Sequence, residues 1–200
     1  MGVPSATPRG EKTRERLVSV ARERFSAAGV LATSVDDLVQ AAGITKPTFY
    51  RYFRSKDDLV IATLEADTKA EARDLAGVLA KAGEDRPGRV DLIVRHYASR
   101  FGQPPHRGLY ALNVASEYPD PSSPVHAAAA FEITALQDLL AELTGAAAGS
   151  QAAGPLSLAI FGASAACQAL GPGAANLLLD AVDRAACAAD GRPAAREHAP

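Results

Sequence analysis

Residues Ser34–Leu59 read SVDDLVQAAGITKPTFYRYFRSKDDL, three short helices in succession, each with its own start signal. Ser34 precedes an apolar-periodic run and has Asp37 three residues later, the pattern of a capping box. Val35, Leu38, Val39 and Ala42 recur at helical spacing and form one buried stripe. Gly43 ends that helix, because glycine takes a left-handed backbone without steric penalty. Thr45 caps the next helix, and Pro47 fits its first turn, where a missing N–H costs nothing. A helix, a glycine turn and a second short helix form the helix-turn-helix pattern. The second helix leaves Thr45, Lys46, Thr48, Tyr50, Arg51 and Tyr52 as an exposed set, with Phe49 and Phe53 packing inward. That is the composition of a surface that meets phosphates and base edges.

Working outward, a helix is expected from about Thr13 to Ala28, ending at Gly29, with a residue 1–12 arm before it. A fourth helix starts at Ser55 and reaches about Ala82. Further helices are expected near 89–101, 106–118, 123–143, 155–170 and 174–189, separated by Pro- and Gly-rich breaks. Residues 191–200 read as a flexible tail. No stretch alternates with period two, so the expected fold is all-α: a three-helix head and a helical body, about nine helices in total. The head takes residues 13–60 and the body 61–190.

The 200 residues are 48% apolar and 22% charged, which suits a soluble protein with a real core. The formal net charge of -2 hides an asymmetry. Residues 1–60 carry 10 Lys and Arg against 7 Asp and Glu, a balance of +3, and the remainder carries 11 against 16, a balance of -5. A basic head on an acidic body is the asymmetry expected when only the head meets phosphates. The N-terminal MGVPSATPRGEKTRER has Pro and charges where a secretory leader needs an apolar run, so no leader is expected and the cytoplasm is the expected compartment. No apolar stretch reaches the ~18 residues of a membrane span without interruption. Cys167 and Cys187 have no His or Cys cluster around them, so they read as core residues and not as metal ligands.

The run TKPTFYRYFRSKDDL, with AAGI before it, resembles the DNA-binding signature of the tetracycline-repressor (TetR) family of bacterial regulators, and the resemblance extends from about Thr13 to Leu64. It implies a homodimeric regulator, most readily a repressor, whose head binds a roughly palindromic operator in double-stranded DNA. The N-terminal end of the recognition helix, with Thr45, Lys46 and Thr48, is then the part nearest the bases. The resemblance puts Tyr50 and Lys56 on phosphates, and Arg51 has the planar fork that matches guanine O6 and N7. The start of the preceding helix at Ser34 offers free N–H groups to a phosphate, and Thr33 adds a hydroxyl.

The same resemblance implies a small-molecule effector held among the fourth to eighth helices. Polar and aromatic groups on apolar faces there are Tyr97, Phe101, Tyr110, Asn113 and Phe131. It also implies a dimer seam on the last two helices, whose bulk comes from Leu156, Ile160, Leu177, Leu178 and Val182, among small residues such as Ala185. Glu117, His96 and Cys167 invite an enzymatic reading, but no G-x-S-x-G, phosphate-cradling glycine loop or H-E-x-x-H supports it. No catalytic residue, cofactor or metal is expected. Activation, ligand-independent regulation and architectural DNA coating are the alternatives.

Overall fold

The computed structural model describes residues 8–80, 86–103, 108–144 and 154–180, and among them the chain is helical with no strand. The helices are α1 (Pro8–Ala28), α2 (Val35–Ala41), α3 (Lys46–Tyr52), α4 (Lys56–Leu79), α5 (Arg86–Phe101), α6 (Tyr110–Glu117), α7 (Pro124–Leu143) and α8 (Gly154–Leu170). A 3₁₀ turn at Pro172–Ala175 follows, and residues 176–180 continue as helix. The first helix thus starts at Pro8, earlier than the expected Thr13, with proline at the first position, where a missing N–H costs nothing. Val182, Ala185 and Cys187 lie outside the described residues, as do residues 1–7 and 191–200.

Start and stop signals act as the sequence predicts. The Ser34 hydroxyl oxygen accepts the Asp37 N–H at 3.1 Å, and Asp37 accepts the Ser34 N–H at 2.9 Å. The Ser34 hydroxyl, 2.6 Å from the Asp37 carboxylate, and then the Ser34 N–H hold the Asp37 carboxyl below the usual carboxylate range. Gly43, at φ +59°, turns the chain out of α2, and the Ile44 N–H closes the turn on the Val39 carbonyl at 3.0 Å. Ser55 accepts from the Asp58 N–H at 3.0 Å while Asp58 accepts from the Arg54 N–H at 3.1 Å, the same device at α4.

The chain divides into two compact units, one formed by Met1–Glu71 with Tyr110–Ala135, the other by Ala72–Leu109 with Leu136–Pro200. The first unit has a continuous core. Leu17, Val18, Ala21 and Phe25 of α1 meet Leu38 and Val39 of α2, Phe49 of α3, Leu59, Val60 and Leu64 of α4, Tyr110 and Val114 of α6, and Val125 and Ala129 of α7. In the second unit α5 packs on α8 and on the 3₁₀ turn. Ile93, Val94, Tyr97 and Phe101 of α5, Ile160, Ala163 and Cys167 of α8, and Leu178 are buried there. Ser164 of α8 accepts the Leu109 N–H at 2.7 Å, and Gly108, at φ +79°, lies so close to Gln168 that no Cβ fits. Among the described residues no helix is long and apolar enough to cross a membrane.

A carboxylate ties α6 into the first unit. Glu117 accepts the Val30 N–H at 3.0 Å and the Leu31 N–H at 2.8 Å, one on each oxygen. Gly29, at φ +93°, turns the end of α1 so that these two donors point at Glu117. A Cβ on Gly29 would stand 3.2 Å from both carboxylate oxygens. Nearby, the Tyr118 hydroxyl donates to Asp57 at 2.9 Å, and the Tyr110 hydroxyl meets that of Thr63 at 2.7 Å. Burial pushes both tyrosines above their ordinary range. Removing one acceptor strands two backbone donors. Glu117→Ala should therefore lower the unfolding free energy by about 1–3 kcal/mol, read as a lower urea midpoint. The Val30 and Leu31 amides should then exchange faster with solvent than their neighbours in α1. An unchanged midpoint would show that water replaces the carboxylate at no cost.

Candidate nucleic-acid interface

The helix α3 has only seven residues, too short to persist alone. Its rotation is set by Phe49, which has no solvent exposure, and by Phe53 at its C-terminal end, the two ring centroids 6.1 Å apart. With these rings inward, helical period turns the opposite residues out. Thr45, Lys46, Tyr50 and Arg51 are exposed, Thr48 is half-buried, and Tyr50 keeps 53% of its surface. Thr45 caps the helix, its oxygen 3.4 Å from the Thr48 N–H, and the two threonine hydroxyls are 3.0 Å apart. Arg51 lies over the Tyr52 ring, 5.0 Å from its centroid, and donates to its hydroxyl at 3.2 Å. Arg14 of α1 lies over the Phe53 ring at 5.2 Å. Lys46 pairs with Asp36 of α2 at 2.8 Å. The hydrogen bond that Lys46 donates to Asp36, with the charge of that carboxylate, raises the Lys46 pKa above the ordinary lysine value.

Three members of the expected set, Thr33, Ser34 and Lys56, are placed differently from the rest. Thr33 is buried, and its hydroxyl donates to the Gly29 carbonyl at 2.7 Å, since the α1–α2 loop needs an internal partner for that carbonyl. Ser34 is exposed, and the capping box at the start of α2 uses its own N–H and that of Asp37. Lys56 is half-buried, and its ammonium donates to the Val30 carbonyl at 2.9 Å and the Thr33 carbonyl at 3.2 Å. That leaves one of its three donors for an outside acceptor.

The residues named for an effector are divided between the two units. Tyr97 and Phe101 are fully buried in the second unit, their ring centroids 5.5 Å apart. Tyr110 belongs to the core of the first unit, with the Arg22 guanidinium 4.5 Å from its ring centroid and Arg22 paired with Asp67. Asn113 is half-buried on α6. Phe131 is 70% exposed, because the period of α7 sets it with Ala127 and Ala130 on the outer face. In the expected seam, Ile160 and Leu178 are buried inside the second unit, Leu156 is half-buried and Leu177 is exposed. The exposed leucines here are Leu158, Leu170 and Leu177, and α8 carries no charged residue.

The residues with an enzymatic pattern are divided between the two units. Both Glu117 oxygens hold backbone donors in the first unit, while His96 and Cys167 belong to the second. Burial raises the Cys167 thiol pKa. Among the described residues no group of three or more His, Cys, Asp or Glu is placed to hold a metal. Sequence reasoning passed over Asp36 and the tie made by Glu117. The first had a signal, a carboxylate on the helix preceding Lys46; the second had none, because its partners are backbone groups 86 and 87 residues away.

Comparison with known proteins accords with this geometry. Residues 17–63 match the model of bacterial regulatory proteins of the tetR family. A TetR-family transcriptional regulator from Streptomyces coelicolor superposes with a TM-score of 0.75 at 30% identity, over 87% of this chain and 94% of that one. A TetR transcriptional regulator from Chloroflexus aurantiacus shares the fold, with a TM-score of 0.76 at 23% identity, over 93% of this chain and 98% of that one. The HTH-type transcriptional regulator YdgC of Bacillus subtilis is 37% identical over 90 residues, 43% of this chain and 46% of that protein. EthR of Mycolicibacterium smegmatis is 26% identical over 120 residues, 58% of this chain and 55% of its own. The chain thus spans about half the length of the curated relatives it matches. An all-α chain with a helix-turn-helix head of this build belongs to the TetR family.

The division of α3 into a packed and a presented face is testable by stability alone. Phe49→Ala should cost about 3–5 kcal/mol of unfolding free energy. Tyr50→Phe should stay within about 0.5 kcal/mol of the parent. Urea unfolding of both variants checks this, and a large loss for Tyr50→Phe would put its hydroxyl in the fold's own structure.

Proposed function

We propose that this chain is a cytoplasmic, sequence-specific DNA-binding transcription regulator, a homodimeric repressor released from a palindromic operator by a small molecule. The observation that carries the reading is the presented face of α3: Thr45, Lys46, Thr48, Tyr50 and Arg51 stand over the buried Phe49 and Phe53. In this reading residues 13–60 are the DNA-binding domain and 61–190 serve effector binding and dimerisation. The α3 donors meet a major groove, and Tyr50 and Lys56 meet phosphates. Lys56 does so while gripping the α1–α2 loop, which sets the direction of its remaining donor.

Dimerisation is supported by the uncharged outer face of α8, where Leu158 and Leu170 are 68% and 75% exposed. Two heads held together bind as one linked unit, so affinity rises far beyond that of a single head. The effector reading draws on Tyr97 and Phe101, buried in the second unit with their ring centroids 5.5 Å apart. Lowering operator affinity a hundredfold takes about 2.7 kcal/mol of coupling, and operator DNA must weaken effector binding by the same factor.

Selection of bound duplexes from a random pool is the direct experiment. The protein should enrich two inverted half-sites whose centres lie one helical turn, or a multiple of it, apart. Tyr50→Phe combined with Lys56→Ala should weaken binding on all duplexes alike, and unchanged gel shifts for that double variant would remove α3 as the reader. Leu158→Arg should sediment as a monomer and bind the enriched duplex at least tenfold more weakly, by loss of linkage. A parent protein that is monomeric at micromolar concentration would overturn the dimer.

A further inference from the structure

Asp36 has no task in capping its helix, since Ser34 and Asp37 form the box at the start of α2. Its carboxylate instead lies 2.8 Å from the Lys46 ammonium across the Gly43 turn. Both side chains are largely in solvent, 69% exposed for Asp36 and 54% for Lys46, and an exposed pair of this kind adds little to stability. Its position gives it another meaning. It lies on the presented side of the helix-turn-helix, where a carboxylate facing a phosphate backbone is repelled.

The pair presents one acceptor group and one donor group side by side. In the major groove a G·C base pair presents the complement: guanine O6 and N7 accept, and the cytosine N4 amino group donates. An A·T pair offers the thymine methyl and a different order of donor and acceptor. We propose that Asp36 and Lys46 act together as a specificity-determining pair that opens onto a G·C base pair, Lys46 donating to guanine and Asp36 accepting from cytosine. This rests on the reading of α3 as the DNA reader. On other sequences the pair stays closed on itself. Lys46 then neutralises no phosphate, and Asp36 subtracts from non-specific attraction. On the right base pair both groups exchange one partner for another, so opening leaves neither group without a hydrogen bond. A lysine without this partner is free to neutralise a phosphate at any sequence, and a phosphate contact carries no sequence information.

The variant Asp36→Asn keeps size and removes the charge. The test uses the full-length protein, with a duplex pool selected separately by the parent, Asp36→Asn and Lys46→Gln. Folding is checked by circular dichroism melting. The parent should enrich a G·C pair at one position of each half-site, and both variants should lose the preference there while keeping it elsewhere. Asp36→Asn frees Lys46 for one more phosphate. Its binding to a duplex of unrelated sequence should tighten about eightfold at 0.1 M salt, with a salt slope steeper by about 0.9. If the parent enriches a sequence and Asp36→Asn enriches the same one with unchanged non-specific affinity, the pair is a bystander and the proposal fails while the regulator reading stands. A parent that enriches no sequence overturns both.

Discussion

The burial of Phe49 is the constraint on which the recognition surface depends. A helix of seven residues makes too few internal hydrogen bonds to offset the entropy of its own nucleation. It persists because one face is anchored, and burying a phenylalanine side chain is worth about 1.5–3 kcal/mol. Phe49 has neighbours from α1, α2 and α4 in one continuous core. Once that ring is inward, helical period decides which residues face out, and Tyr50, beside Phe49 in sequence, takes the edge of its ring at 5.2 Å and stays half in solvent. The glycine turn at Gly43 and the cap at Thr45 then fix where the presented face begins.

The second organising element is an accounting of backbone donors. A chain leaving a helix carries N–H groups that need partners. At the end of α1 the loop solves this with Glu117, a residue from α6, and returns two of its carbonyls to the Lys56 ammonium. A carboxylate takes the donors and an ammonium takes the acceptors, so one loop is held from two helices. Charge-assisted hydrogen bonds of this kind are stronger than neutral ones. The same network draws in the α6 tyrosine Tyr110 and its neighbour Tyr118, which reach Thr63 and Asp57 of α4. The helix that carries Glu117 is therefore part of the unit that presents α3.

Charge on the presented face is less uniformly basic than the net balance of residues 1–60 implies. Arg51 rests on Tyr52, Lys46 on Asp36, and Lys56 on two carbonyls. Each cation of the proposed interface has a partner within the protein, and binding DNA is then an exchange of partners. Exchange favours discrimination over raw attraction, because a wrong sequence leaves one partner unsatisfied.

By itself the sequence determined the helices and the turn between α2 and α3. Their signals are local: Ser34 with Asp37, Gly43, Thr45 with Pro47, and Ser55 with Asp58 all act over a few residues. The inward turn of Phe49 and Phe53 was equally legible, because period alone fixes it. The tertiary structure alone decided what depends on distant chain. It placed Tyr110 in the core of the first unit, with Arg22 over its ring, and turned Phe131 to the outside of α7. It took Thr33 inward to satisfy a carbonyl four residues back, and buried Ile160 and Leu178 within their own unit. An apolar or hydroxylic side chain looks the same in sequence whether its partner is its own fold, a second copy or a ligand. Only packing distinguishes them, and packing is set by residues that sequence proximity does not connect.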